Sequence, residues 1–284
     1  KEFYGINLLV NSDVLIPRPE TESMVEHALF MALMGMETAE LVIADVGTGT
    51  GAIAINLAIH LPAAQIYATD LTDEVLDVAS YNIRAHNVAD RITLLQGDLL
   101  EPLPQPVDLI VANLPYIPTS RIPTLQPEIQ WEPSAALDGG DDGLDLIRRL
   151  MSQAPDKLKE NGIILLELDP EQVPAVEELS RQLFPEATTS IEQDLAHLDR
   201  VFVRIAAHTH GVCTTTLSVI VNGKTIQKKS LRFKESGEQG AAFNVAAGDS
   251  PISLSLSKPA VFKDAVFTFP FHNSISFSLS VSTP

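Results

Sequence analysis

The chain has 284 residues, enough for one large domain or two smaller ones, and 45% of them are hydrophobic, so a substantial core is available. A formal net charge of −18 argues against DNA or RNA as the main ligand, because backbone binding needs clustered Lys and Arg. No apolar run is long enough to span a bilayer, and the first residues lack the apolar core of a signal peptide. The single cysteine, Cys213, rules out an intrachain disulfide and a Cys-rich metal site, so the expectation is a soluble cytoplasmic protein with no metal and no membrane partner.

Charge divides the chain. Residues 1–207 carry 33 acids and 12 bases, whereas residues 208–284 carry 4 acids and 7 bases, with dense Ser and Thr and most of the Phe. A boundary is expected near Ala206–Gly211, giving a leading segment over 1–22, a domain over 23–207 and a second domain over 208–284. In the first part, Leu41-Val42-Ile43-Ala44-Asp45-Val46 is a short apolar run ending at glycines, as suits a buried parallel strand. Ala52–Leu61 follows as a helix stopped by Pro62, and Gln65–Asp70 is the next strand. Thr72-Asp73-Glu74 opens a helix with a capping hydroxyl and early acids, and Val75, Ala79 and Ile83 share one face of it. Ile92–Leu95, Leu109–Ala112 and Ile163–Leu168 read as further strands, Leu144–Leu158 and Glu171–Phe184 as helices, and Arg200–Ile205 as a last strand. This alternation predicts a doubly wound sheet with helices on both faces and a ligand beyond the carboxyl ends of its strands. In the second part helical periodicity is lost. Ile275, Phe277, Leu279 and Val281 alternate with serines, and Asn222-Gly223 separates Leu217–Val221 from Lys224-Thr225-Ile226 in a strong hairpin pattern, so a small antiparallel β-sandwich or barrel is expected.

Asp45-Val46-Gly47-Thr48-Gly49-Thr50-Gly51 lies between a strand and a helix. Glycines there let the backbone turn tightly and approach a ligand, and the helix start offers free N–H groups. Asp70 ends the next strand, where a carboxylate can accept both hydroxyls of a ribose. A ligand-free turn ranks lowest for that reason. A dinucleotide site needs its last two glycines spaced G-x-x-G, while Gly49 and Gly51 are spaced G-x-G. The third reading is S-adenosylmethionine, with Asp45 as the acid at the first strand's end. The loop alone leaves the last two open.

Asn113-Leu114-Pro115-Tyr116 caps the carboxyl end of the strand Leu109–Ala112 and decides between them. The lone pair of an amide or exocyclic amine is delocalised, so such a nitrogen attacks a methyl group poorly. The Asn113 side-chain oxygen can accept one N–H and the Leu114 backbone carbonyl the other, which orients the nitrogen and favours the charge that develops on it. Pro115 stiffens the loop, and Tyr116 offers a face for stacking on the substrate group or the sulfonium. An ordinary turn would use the same residue types. The position at a strand end, downstream of the glycine loop and Asp70, favours a class I S-adenosylmethionine-dependent methyltransferase.

With these motifs in order, the sequence resembles the HemK or PrmC family, the glutamine methyltransferases of peptide chain release factors, from about Lys1 to Arg204. Glu2-Phe3-Tyr4-Gly5 and the run Asp13 to Glu22, with its specific Ile-Pro-Arg-Pro-Glu-Thr-Glu, resemble the family's hairpin and following segment. Asp45 to Gly51 resembles its glycine loop and Asn113 to Tyr116 its Asn-Pro-Pro-Tyr signature. Glu132-Pro133, Ala136-Leu137 and Gly139 to Leu144 resemble what lies beyond, and Asp194-Leu195 with Asp199-Arg200-Val201 the domain's end. The resemblance implies a seven-stranded Rossmann-like sheet. It implies that Gly47 to Gly51 hold the methionine part of the cofactor, that Asp70 takes the ribose and that Asp98 and Leu99 lie beside the adenine. Asn113 would touch cofactor and substrate, and Asn113 to Tyr116 would hold the glutamine of a release factor's Gly-Gly-Gln motif. Arg18 and Glu20 resemble channel or packing residues, an internal ion pair being an equal alternative. The chain departs from the family in Leu114, where proline is usual. Only that residue's carbonyl is needed, so activity is expected to survive. The family also carries an N-terminal helical domain, and this chain is expected to start inside the linker after it. Residues from about 208 onward match nothing in the family.

Other residues have plainer readings. Trp131 could cover the site or anchor a surface. His208 and His210 form a solvated boundary pair, and His27, His60, His86 and His197 are structural. Three functions compete with glutamine methylation of a release factor. They are methylation of a ribosomal-protein glutamine, methylation of a nucleic-acid amino group, and a cofactor-binding scaffold that acts through its β-domain.

Overall fold

The computed structural model describes residues 1–35, 40–193 and 201–206 and, beyond these, strands over 213–221, 224–233, 239–243, 252–256, 265–268 and 275–282. Asp194-Leu195, His197, Asp199-Arg200, His208, His210 and Asn222-Gly223 lie outside the described residues. The chain divides into two compact units, Lys1–Phe30 with Ala39–His208, and Met31–Thr38 with Thr209–Pro284.

The first unit opens with a two-stranded hairpin, β1 (Glu2–Phe3) and β2 (Ile6–Asn7). Helix α1 (Glu20–Gly35) follows, starting just after Pro19 with Glu20 and Glu22 at its positive end. Met24, Val25, Ala28 and Leu29 give it a buried stripe at helical spacing. Nothing in the sequence pattern above assigned this helix. The central run then alternates as expected: β3 (Val42–Val46), α2 (Ala52–His60), β4 (Gln65–Asp70), α3 (Asp73–Ala85), β5 (Ile92–Gln96) and β6 (Val107–Ala112). In α3 the buried stripe is Val78, Ala79, Asn82 and Ile83, one step round from the expected face.

Helix α4 (Asp145–Gln153) is shorter than the expected Leu144–Leu158. Pro155 cannot continue the helical hydrogen bonding, so the chain makes one tight turn over Ala154–Asp156 and enters β7 (Leu158–Leu168). A further turn at Pro170–Gln172 leads to α5 (Val173–Leu183), then β8 (Thr188–Gln193) and β9 (Val201–Ala206). These strands form one sheet in the order β5-β4-β3-β6-β7-β9-β8, in which β9 alone runs antiparallel to its neighbours. The chain moves outward from β3 in one direction and then returns to β6 on the other side. The reversal of direction falls between β3 and β6, where a doubly wound sheet opens a crevice at its carboxyl edge. Ile110, Leu150, Ile164 and Val176 help form the core that β6 and β7 share with α4 and α5.

The second unit contains β10 (Cys213–Val221), β11 (Lys224–Phe233), β12 (Gln239–Phe243), β13 (Ile252–Leu256), β14 (Ala265–Thr268) and β15 (Ile275–Ser282). One sheet has the order β11-β10-β15-β14 and β12 pairs with β13, all antiparallel. The expected hairpin is present as the pairing of Val221 with Lys224. Among the described residues no helix is long and apolar enough to cross a membrane.

Candidate active site

The site is assembled at the carboxyl edge of β3, β4, β6 and β7. β3 delivers the chain to the glycine loop, where Gly47, Gly49 and Gly51 all have positive φ. A side chain at Gly47 would also meet the Leu114 methyl at 2.9 Å, so the loop and the Asn-Leu-Pro-Tyr segment are in contact through this pair. The Thr69 carbonyl accepts from both Gly47 N and Thr48 N at 3.0 Å, pinning the loop to the end of β4.

Three carboxylates are candidate acceptors for a cofactor. Asp45 is buried, and its Oδ2 accepts from Thr48 Oγ1 at 2.7 Å and from Ala54 N at 3.1 Å. Among the described residues, its Oδ1 is buried without a donor. Burial pushes the Asp45 carboxyl up to about 6, against the lowering effect of the Thr48 and Ala54 hydrogen bonds. Asp70 accepts from Gly49 N at 2.9 Å through Oδ2 and from Leu71 N at 2.8 Å through Oδ1. Burial raises its pKa as well. A carboxylate has about four lone-pair sites, so Asp70 keeps capacity for two further donors. The third acceptor, Asp98, is tied to α4 by Arg149 at 2.5 Å and Gln153 Nε2 at 3.2 Å, with Leu99 buried beside it at φ 52°.

These residues suit S-adenosylmethionine. Beyond Gly49 no atom of the described residues lies within 4 Å of where a Cβ would project, so ligand atoms can approach the backbone there. The orphan oxygen of Asp45 and the spare lone pairs of Asp70 are acceptors for a ligand that brings an ammonium and two hydroxyls. Thr48 spends its hydroxyl on Asp45, and Thr50 is buried with its carbonyl held by Asn82 Nδ2 at 2.9 Å. Both shape the loop.

On the other side of the crevice, Asn113 Nδ2 donates to Thr21 Oγ1 at 2.9 Å, and Thr21 donates to Glu167 Oε2 at 2.9 Å. Tyr116 is mostly buried, and its hydroxyl donates to the other Glu167 oxygen at 3.2 Å. The ring expected to stack on substrate is therefore held by its hydroxyl. Gln172 Nε2 donates to the Tyr116 carbonyl at 2.8 Å and fixes the loop from below. Asn113 to Tyr116, with Leu15, Arg18 and Glu167, line a pocket of about 70 Å³. Arg18 pairs with the nearly buried Glu132 at 2.7 Å, so it is both a pocket residue and half of an ion pair.

Over 204 residues, 72% of this chain, the sequence is 44% identical to the release factor glutamine methyltransferase of Moorella thermoacetica and covers 71% of it. The chain belongs to the release factor glutamine methyltransferase family. The enzyme of that name from Thermosynechococcus vestitus is 42% identical over 202 residues, with 70% of this chain and 69% of the relative aligned. A profile of the ribosomal protein L11 methyltransferase family (PrmA) matches residues 24–129, the stretch that holds the glycine loop and Asn113 to Tyr116. Among solved structures, a methyltransferase from Pyrococcus furiosus superposes with a TM-score of 0.54 at 16% identity, covering 72% of this chain and 91% of the other. The hMettl16 catalytic domain bound to an RNA hairpin gives 0.56 at 16% identity, covering 72% and 76%. The fold is thus that of class I methyltransferases, and membership of the family makes this chain an enzyme that uses S-adenosylmethionine.

For this family member the sequence pattern pointed to the glycine loop and the tetrapeptide but not to Thr21, Glu167 and Asn82. Each left a trace. Thr21 sits inside the Ile-Pro-Arg-Pro-Glu-Thr-Glu run, and Glu167 is a lone acid in an apolar strand. Asn82 falls on the buried face of α3, where it accepts from Leu9 N at 2.7 Å and donates to the Leu9 carbonyl at 3.0 Å. Trp131, by contrast, is 86% exposed and sits on the surface. His27, His60 and His86 each contact a backbone carbonyl, those of Ser23, Asn56 and Asn7.

Proposed function

We propose that this chain transfers a methyl group from S-adenosylmethionine to the side-chain amide nitrogen of the glutamine in a release factor's Gly-Gly-Gln motif. When bound, the cofactor supplies an electrophilic methyl group on a sulfonium. Asp70 accepts the ribose hydroxyls, the loop Gly47 to Gly51 cradles the methionine part with Asp45 beneath it, and Asp98 and Leu99 flank the adenine. Asn113 Oδ1 and the Leu114 carbonyl take the two N–H groups of the glutamine amide, fixing its plane and stabilising the charge that grows on nitrogen. Tyr116 and Pro115 wall the pocket. A release-factor substrate places the activity in the cytoplasm.

The observation that carries this reading is the anchoring of Asn113 Nδ2 on Thr21, which leaves the amide oxygen as the group presented to a substrate. Incubation with release factor and cofactor, followed by mass spectrometry, should find one added methyl on the glutamine side chain. Label on DNA or on a ribosomal protein, with none on release factor, would overturn the substrate assignment.

A further inference from the structure

A side-chain amide is electrostatically two-sided, with an oxygen that accepts and an NH₂ that donates, and the two ends have nearly the same shape. Substrate N–H groups need the oxygen. If the Asn113 amide turned over, its NH₂ would face the incoming N–H groups and repel them. Something must set the direction, and the structure contains a hydrogen-bonded chain that does so.

We propose that Thr21 and Glu167 are positioning residues that lock the polarity of the Asn113 amide. This rests on the reading of Asn113 given above. Glu167 is almost fully buried at the carboxyl end of β7, and the pairing of Ala112 with Leu166 sets Asn113 next to it across the β6–β7 ladder. A carboxylate only accepts, so Thr21 and Tyr116 both donate to it. Thr21 has one hydroxyl proton and gives it to Glu167. Toward Asn113 it can then only accept. The Asn113 end that meets Thr21 must be the NH₂, and Oδ1 lies on the other side of the planar amide. Thr21 is itself buried in the first turn of α1, with its N–H on the Arg18 carbonyl at 3.1 Å, so the chain has little freedom to rearrange. One carboxylate thereby fixes both polar side chains of the signature.

The sharpest variant is Glu167→Met. It has a similar shape but no good acceptor for the Thr21 proton, which can then point at Asn113 and select the wrong amide face. Glu167→Met and Thr21→Val should each lower kcat on the order of 100-fold, as expected when a preorganised partner of the reacting group is lost. Thr21→Ser should restore most of the rate. Cofactor Kd, measured by calorimetry, and melting temperature check that each variant is folded. In an Asn113→Ala background Thr21→Val should cost nothing further, because Thr21 reaches the signature through that amide. A second readout needs no turnover. The Asn113 side-chain NH₂ should show slowed hydrogen exchange by NMR in the full chain, and lose that protection in Thr21→Val. Full activity in Glu167→Met, an additive loss in the double variant, or a freely exchanging Asn113 NH₂ would each overturn the proposal. If the wild type does not methylate release factor, the functional reading fails while the exchange experiment still decides the polarity lock.

Discussion

Asp70 offers a direct test of the cofactor side. Asp70→Ala removes the proposed ribose acceptors and should weaken S-adenosylmethionine binding by about 1.5–3 kcal/mol, the usual worth of hydrogen bonds to a charged group. Calorimetry that finds unchanged affinity would mean the ribose lies elsewhere. Asn113→Ala should cost on the order of 100- to 1000-fold in kcat with the fold intact. Asp45 links chemistry to pH. Its folded pKa, near 6, lies above the ordinary carboxylate value of 3.8, so the native state holds its proton more tightly than the unfolded chain. The stabilisation from this residue is complete below about pH 4 and is lost as pH rises through about 6. Across that window the loss is on the order of 1.4 kcal/mol for each pH step of one. Asp45→Asn keeps an acceptor for Thr48 and Ala54 but cannot ionise. Between pH 4 and pH 7, its melting temperature should fall less than that of the wild type. An identical pH slope in the two proteins would contradict a buried titrating Asp45. Asp70 was legible because strand and glycine loop fix its place along the chain. Thr21 and Glu167 were not, since each reaches Asn113 only through the sheet register and the seating of α1, which no local pattern records.

Elements show the same division. The strands β3, β4 and β6 and the second half of β7 were readable because burial on both faces makes them apolar runs, while β5, at the sheet edge, was readable from Ile92, Leu94 and Leu95. Strand β8 was missed, since its sequence Thr-Thr-Ser-Ile-Glu-Gln is that of an exposed edge, with Ile191 45% exposed. Helix α1 was hidden by an apolar composition with little contrast between its faces. Contact between the glycine loop and the signature gives Leu114 a second role beside that of its carbonyl. Leu114→Pro should keep activity within a few-fold. It should also lower stability by roughly 1–2 kcal/mol, because a smaller side chain leaves the Gly47 contact underpacked. Chemical denaturation of the variant measures this, and an unchanged midpoint would mean the contact contributes nothing. The Arg18–Glu132 pair fastens the segment after β6 to the stretch before α1. Arg18→Ala strands a nearly buried carboxylate, and about 1.5–3 kcal/mol of local stability should be lost. Faster amide exchange over 117–143 and a raised KM for release factor would report it.

At the scale of the molecule, the charge split and the change of periodicity anticipated two kinds of structure, α/β and then all-β. A chain ending at Ala206 should melt cooperatively and bind S-adenosylmethionine, since β9 is the last strand of the catalytic sheet. Insolubility or a broad transition would mean that the β-rich segment belongs to the catalytic fold. The position of β9 has a consequence for synthesis. It is the last of the seven strands to be made, yet it lies between β7 and β8. Between the emergence of β7 from the ribosomal exit tunnel and that of Val201–Ala206, the edge of β7 is unpaired and β8 arrives with no strand to join. An open edge of this kind is a template for pairing with other chains. The nascent protein is thus most exposed to misassociation in the interval before Val201–Ala206 clears the exit tunnel, and one short reversed strand both completes the sheet and ends that exposure.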